Sequence, residues 1–311
     1  MSQVTSAHQP LVSVIVITYN SGQFVLETLD SIRDQTYGNI ELIISDDASA
    51  DDTVKVCEVW LKTNSSRFIA TKIIKAEKNS GISPNCNRGV KAATGDWVKI
   101  IAGDDALEPQ IIQQYIDFAT ANPQAMCMYS NVAEYEGTFA QENRLPVIDL
   151  RQKKMNAADC GPKEQVEYLL RGNPGWAATL IVKREVLIEV GGFNERYPFF
   201  EDRPLLLALT KAGYKIFYLD TVGAKYRRHT ASIQFRKSNV FMSALRKSQE
   251  EFFIREYLWA FTKREQSGML FRNRKNRFLT KLSGNRKNLL VQVLSNLLEF
   301  YPKIVLKRNR A

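Results

Sequence analysis

The sequence predicts an α/β fold: a Rossmann-like, mostly parallel mixed sheet flanked by helices and extended by a basic helical C-terminal region. Three observations predict it. Short β-branched runs alternate with helical periodicities in the front of the chain, each run ends in a polar or acidic turn, and the excess positive charge is confined to the back.

Residues 11–18 (LVSVIVIT) stop at Tyr19-Asn20-Ser21-Gly22, and Phe24, Val25, Leu29 and Ile32 then recur at helical spacing. The pattern reads strand, turn, helix. Residues 40–45 (IELIIS) repeat it, ending in the acidic turn 46–52 before a helix over 53–61. Residues 68–76 and 97–102 add two strands, with a helix over 84–93 between them. Such βαβ units cover both faces of a sheet with helices and bind ligands at the carboxyl ends of the strands. Thr18/Tyr19, Asp46/Asp47 and Gly103/Asp104/Asp105 are therefore expected to converge on one edge. Residues 139–162 turn polar and irregular, which predicts a loop or a lid. A helix over 204–212 follows, and beyond Tyr226 the chain becomes long, basic and helical. A boundary near residue 235 separates residues 1–235 from the basic region 236–311.

The 311 residues include 43 Lys/Arg against 33 Asp/Glu, with 44% hydrophobic residues and a mean hydropathy of −0.27. Disordered and fibrous classes are excluded. Residues 225–311 hold 21 Lys/Arg and 5 Asp/Glu, leaving 22 basic and 28 acidic residues in 1–224. A net charge of −6 thus precedes one of +16. An acidic body with a basic tail suggests a tail attracted to an anionic surface: phospholipid, nucleic acid or protein. The cysteines at 57, 86, 127 and 160 form no CxxC pair, and the opening MSQVTSAHQP lacks a charged-then-apolar leader. A reduced, cytoplasmic protein is expected. The apolar stretch 289–306 is broken by Gln292, Ser295, Asn296, Glu299 and Lys303, so no bilayer span is expected.

Three acidic sites carry the chemistry. Gly103-Asp104-Asp105 sets paired hard oxygens just past a strand, suited to Mg²⁺ or Mn²⁺ on a diphosphate, or to a solvated turn and helix start before Pro109. Asp46-Asp47 has the same two readings, with a nucleobase or ribose as the alternative ligand. Glu201-Asp202 follows Phe199-Phe200, whose apolar surroundings raise a carboxylate's pKa and suit proton transfer; a helix cap before Pro204 is the alternative. His229 is one of only 2 histidines, which excludes HExxH-type metal sites. It lies beside Arg227 and Arg228, residues suited to phosphate. GxSxG, GxxxxGK[ST] and GxGxxG are all missing from the sequence, so hydrolase, P-loop and dinucleotide-oxidoreductase readings lack their signatures.

VSVIVITYNSGQFVLETLDSIRDQTYGNIELIISDDASADDT, Asn79-Ser80-Gly81, ATGDWVKIIAGDD, and GGFNERYPFFEDRPLLLALTKAGYKIFYLD followed by YRRHTASI together resemble a family 2 glycosyltransferase of GT-A fold. The resemblance spans residues 10–235. It implies a catalytic domain that moves a sugar from a nucleotide-diphosphate-sugar donor to an acceptor hydroxyl, with inversion and with Mg²⁺ or Mn²⁺. It places Thr18, Tyr19, Asp46, Asp47, Asn79, Asn87 and Asp104 at the nucleotide. Asp104, Asp105 and His229 fall at the metal, and Arg228 and His229 at the diphosphate. Asp202 matches the base that takes the acceptor proton, with Glu201 positioning the acceptor. Two departures stand out: Ala102 occupies the first position of the family's Asp-x-Asp, and Asn85-Cys86-Asn87-Arg88-Gly89 replaces its Ala-Arg-Asn-x-Gly. A two-residue shift turns a helical side chain by about 200°, so Arg88 is not expected to replace the missing arginine.

Leu289, Leu290, Val293, Leu294, Leu297, Leu298 and Tyr301 recur at helical spacing before Lys303, Lys307, Arg308 and Arg310. That is the pattern of a basic amphipathic helix on an anionic membrane, here the inner face of the cell membrane, beside a lipid-linked saccharide acceptor. Packing on the catalytic domain or on a second subunit of a homo-oligomer is the alternative. Nucleic-acid binding lacks a recognised module, and a sugar nucleotidyltransferase lacks its Gly-rich basic loop. A degenerate GT-A domain that binds without turnover is the rival the resemblance leaves.

Overall fold

A computed structural model of the chain describes residues 9–146, 154–171, 177–230, 232 and 240–299. The chain divides into two compact units: Met1–Glu195 with Glu201–Arg228, and Arg196–Phe200 with His229–Ala311. The division falls at Arg228/His229, a few residues before the boundary that composition suggests.

Among the described residues the first unit has eight strands: β1 (Val12–Thr18), β2 (Ile40–Asp46), β3 (Ala70–Lys75), β4 (Trp97–Ala102), β5 (Ala106–Leu107), β6 (Cys127–Glu136), β7 (Ile181–Lys183) and β8 (Ile216–Arg228). They form one sheet in the order β3-β2-β1-β4-β7-β6-β8-β5. Strands β1 to β4 pair in parallel, as does β6 with β8, whereas β7 and β5 pair antiparallel. The sequence pattern marks the first four strands. It misses β5 to β8 because β5 and β7 are too short to show alternation, and β6 meets β8 through register shifts between Ser130 and Val132.

Alternation splits the core into two layers. Val12, Val14, Val16, Ile40, Leu42 and Ile44 face one way and pack under α1 (Val25–Arg33), α2 (Thr53–Asn64) and, further along, α4 (Ile111–Ala121). Ile15, Ile43 and Val98 face the other way, with Cys86 and Val90 of α3 (Ile82–Ala92). Each such aliphatic side chain contributes about 1.5–3 kcal/mol when buried. The described residues of this unit also form α5 (Pro162–Arg171), α6 (Arg184–Glu189) and α7 (Asp202–Lys211).

The expected loop over 139–162 is partly a packed segment. Phe139 stacks edge-on against Tyr135, and Met155 and Cys160 are buried; residues 147–153 lie outside the described residues.

The second unit is helical, as its periodicity predicts, with α8 (Ala244–Phe252), α9 (Lys263–Leu282) and α10 (Leu289–Leu298). Thr262 and Glu265 form a capping box at the start of α9. Phe252, Phe253 and Tyr257 cluster with Tyr197 and Phe200. Tyr301, Lys303, Lys307, Arg308 and Arg310 lie outside the described residues. Among those described, no helix is long and apolar enough to cross a membrane.

Candidate active site

Register brings the predicted strand ends together. Thr18 lies opposite Asp46, and Ile17 lies opposite Ala102, so the residues after β1, β2 and β4 leave the same edge. Gly103 is needed there: a Cβ would sit 2.8 Å from Thr18 Cγ2 and 3.2 Å from Ser21 Cβ.

The two aspartates after β2 differ in role. Asp46 is buried and accepts from Thr18 Oγ1 at 2.8 Å and from Ser49 N at 2.8 Å, which pins the turn. The turn reading therefore describes Asp46 in this structure. Asp47, also buried, accepts from Ser80 N at 3.0 Å, Ser80 Oγ at 2.8 Å and Gly81 N at 2.8 Å. Gly81 has φ 102°, a left-handed backbone that glycine adopts without steric cost. Arg88 Nη2 completes the set at 2.6 Å from Asp47 Oδ1. This corrects the helical-wheel argument: the guanidinium is long enough to reach back from α3, and it also touches Ser80 Oγ at 2.8 Å and Asn85 Oδ1 at 3.1 Å. Asn85, which the sequence does not single out, accepts from Ser45 Oγ at 2.6 Å and donates to Thr18 O at 3.3 Å. Its signal is a polar residue at a buried helical position.

Tyr19 is half exposed, its backbone N–H donating to Ser21 Oγ at 3.4 Å, and Asn79 is exposed. Asn87 is committed elsewhere. Its amide donates to Phe193 O and Glu195 Oε1, each at 2.8 Å, and accepts from Phe193 N at 2.9 Å. It holds the loop ahead of Glu201 rather than joining Asp47.

Asp105 is 3% exposed; its Oδ1 accepts from Arg227 N at 2.9 Å, and its carbonyl accepts from Thr28 Oγ1 at 2.6 Å. Burial, then the charge of Asp104, pushes its carboxyl well above the usual carboxylate range. Arg227 is the residue that sequence reasoning passed over in favour of its neighbour. It is 1% exposed, stacks on Phe139 at 3.9 Å and on Phe24 at 4.7 Å, and donates to Asp104 O at 2.9 Å, Gly137 O at 2.6 Å and Glu27 Oε2 at 2.8 Å. Arg228, next on β8, pairs with Glu134 at 3.4 Å. His229 opens the second unit.

Glu201 and Asp202 sit at the start of α7. Glu201 makes no capping bond, and Asp202 Oδ1 accepts from Arg203 N at 2.7 Å. Burial, then Asp202, raises the Glu201 carboxyl to about 8. The Tyr226 phenol is raised by burial and by Asp105, Asp104, Glu134 and Glu201. Its hydroxyl thus lies within electrostatic range of the carboxylates after β4 and of the one before α7. The Cys86 thiol, raised by burial, also feels Glu201 and Asp47.

Among the described residues, no three His, Cys, Asp or Glu side chains cluster as a complete metal cage. Asp104 and Asp105 still fit a hard divalent cation. Their crowding is relieved by positive charge, and Mg²⁺ characteristically takes one or two carboxylates and completes its shell with water and phosphate oxygens.

Residues 13–173 match Glycosyl transferase family 2, so the chain belongs to that family and is a glycosyltransferase. It is 29% identical over 225 residues to the amylovoran biosynthesis glycosyltransferase AmsB of Erwinia amylovora, covering 70% of each chain. It is 24% identical over 230 residues to the glycosyltransferase GlyG of Streptococcus pneumoniae, covering 72% of each. S. aureus TarS 1-349 in complex with UDP-GlcNAc shares its fold with a TM-score of 0.58 at 17% identity, over 95% of this chain and 82% of that one. The mannosyltransferase PcManGT from Pyrobaculum calidifontis, in complex with GDP-Man and Mn²⁺, does so with a TM-score of 0.53 at 16% identity, over 97% and 88%. The fold is GT-A.

Proposed function

We propose that the protein moves a sugar from a nucleotide-diphosphate-sugar donor to a saccharide hydroxyl with inversion, in polysaccharide biosynthesis. The observation that carries this reading is the register of β1, β2 and β4, which brings Thr18, the Asp46-Asp47 turn and the Asp104-Asp105 turn to one edge of the sheet in a chain of this family. UDP-GlcNAc in TarS, GDP-Man in PcManGT and the amylovoran role in AmsB's name support the substrate class.

Tyr19, Asp47 and Asn79 line the nucleotide in this reading, while Asp46 and Asn87 build the walls. Arg88 holds Asp47 in place and is released to the nucleotide as base and ribose arrive. Asp104 and Asp105 would hold Mg²⁺ or Mn²⁺, which would supply positive charge to the diphosphate leaving group. Arg228 exchanges its long contact with Glu134 for a phosphate, and His229 joins it there. Asp202 takes the acceptor proton during one in-line displacement. Glu201 keeps its proton below about pH 8 and donates a hydrogen bond that orients the acceptor.

The test is nucleotide release from a panel of UDP-, GDP-, TDP- and CMP-sugars with Mn²⁺ or Mg²⁺. One sugar donor should be turned over slowly, with turnover abolished by EDTA and by Asp105→Ala and cut at least a hundredfold by Asp202→Asn, as expected for loss of a general base. Absence of release and of any nucleotide-induced thermal shift would favour a degenerate domain that binds glycan without turnover.

A second observation bears on where the enzyme works. Most apolar side chains of α10 face solvent, Leu289 at 77% and Leu297 at 68% exposure, while Leu294 is half-buried and Val291 buried. We infer peripheral attachment to the cytoplasmic face of an anionic membrane, which presents a lipid-linked acceptor.

A further inference from the structure

The second unit contains a groove of about 740 Å³ walled by α8, the backbone that continues it, and α9. One wall presents positions 247, 250, 251, 254 and 255, the other positions 273, 276, 277, 280 and 281. Both sets follow the three- and four-residue spacing by which helices normally turn an apolar stripe toward a neighbour. Here the stripes are mostly polar, with Ile254 and, ahead of α8, the buried Met242 as the apolar residues of the lining. Two facing polar stripes leave space instead of a packed seam.

Asn276 lines this groove and is 1% exposed. Its amide nitrogen donates to Glu250 Oε1, while its carbonyl oxygen has no hydrogen-bond partner among the described residues. A buried acceptor left unpaired costs about 1–3 kcal/mol. Asn273 donates to the other oxygen of Glu250 at 3.4 Å, so the nearby amides leave that carbonyl unserved. Lys247, Arg277 and Lys281 also line the groove, and none has an ion pair among the described residues, whereas Arg255 is held by Glu251 at 3.0 Å. Residues Phe253–Tyr257, which include the groove positions Ile254 and Arg255, wind as a π-helix, a rare geometry concentrated at functional sites.

We propose that this groove binds an acidic saccharide, a chain rich in hydroxyls that also carries carboxylate or phosphate groups. Hydroxyls supply the hydrogen that the Asn276 carbonyl lacks and donate to Glu250 and Glu251. The anionic groups meet Lys247, Arg277 and Lys281. A nucleic acid fits less well, because Glu250 and Glu251 would face its phosphates and no aromatic ring lines the groove for a base to stack on. The volume is within the range of about 300–1,000 Å³ common to small-ligand sites. The inference takes from the glycosyltransferase reading only the expectation of a saccharide, so its test is run without a sugar donor.

The experiment is calorimetric titration of the full chain with hexagalacturonate, a short glycerol-phosphate oligomer, maltohexaose, inorganic phosphate and a six-nucleotide RNA. At least one of the two acidic, hydroxylated oligomers should bind at least tenfold more tightly than maltohexaose, phosphate or the RNA. Arg277→Ala/Lys281→Ala, at exposed positions of α9, should weaken that binding tenfold or more with an unchanged circular dichroism spectrum. Asn276→Leu should weaken it too, by removing the hydroxyl acceptor. Absence of binding by both acidic oligomers, equal binding of the RNA or of phosphate, or full binding by the double variant would overturn the proposal. Nucleotide release is assayed on the same samples. Failed turnover with intact binding overturns the transferase reading alone, and intact turnover without binding overturns this proposal alone.

Discussion

Glu201 couples the site to pH through a definite sign. Its carboxyl ionises near 4.5 in the unfolded chain and at about 8 in the folded one. Between those values the native state holds a proton that the unfolded state has released, so its contribution to stability is full below about pH 4.5 and is lost as pH rises to about 8. Glu201→Gln removes this dependence. Chemical denaturation across that range should show a flatter profile for the variant than for the wild type, and parallel profiles would refute the assignment. Arg227 offers a second residue-level test. Arg227→Ala strips donors from two partly buried carbonyls, those of Asp104 and Gly137, and a partner from Glu27; because Glu27 is half exposed, the expected cost is about 2–3 kcal/mol rather than the larger loss typical of a fully buried pair. Arg227→Lys should recover only part of it, since an ammonium cannot serve three acceptors in a plane while stacking between two rings. Urea unfolding monitored by far-UV circular dichroism measures both.

At the scale of elements, the strand ends were the legible part of the site, because a β-branched run followed by an acidic or polar turn reports both the strand and what it presents. What a turn does with its carboxylates was not legible. Asp46 and Asp47 are adjacent and chemically identical, yet one is consumed by Thr18 and Ser49 while the other meets Ser80, Gly81 and Arg88. Side-chain reach, which a helical wheel ignores, brings Arg88 back. Strands β5 and β7, of 2 and 3 residues, carry too little pattern to be read. Arg227 and Arg228 look interchangeable in sequence, and strand alternation sends one into the interior and the other to Glu134. The turn after β2 also carries strain, with Ala48 at φ 62°. Ala48→Gly should stabilise the protein by about 0.5–1 kcal/mol, the left-handed penalty of alanine less the extra chain entropy of glycine. Thermal unfolding should show a raised midpoint, and a lowered one would mean that the alanine methyl makes contacts worth more than the strain.

Across the whole chain, composition separates an acidic front from a basic helical tail, and the proposed membrane attachment would use the exposed face of α10. Leu289, Leu290, Val293 and Leu297 are all exposed, and each contributes about 1.5–3 kcal/mol if an apolar environment covers it. Basic residues nearby add about 1 kcal/mol each at an anionic surface, and that share fades with salt as the screening length contracts from about 10 Å at 0.1 M. Attachment should therefore have a salt-sensitive and a salt-resistant component. Full-length protein should float with phosphatidylglycerol-containing liposomes, less so with pure phosphatidylcholine, and partly persist when salt is raised. Leu290→Asp/Leu297→Asp places two carboxylates on the apolar face without touching the catalytic unit. It should abolish flotation while leaving turnover of a soluble acceptor unchanged. Equal flotation by variant and wild type would assign the apolar face to a protein partner instead, and a shift of the wild type alone to dimer in sedimentation would identify that partner as a second copy of the chain.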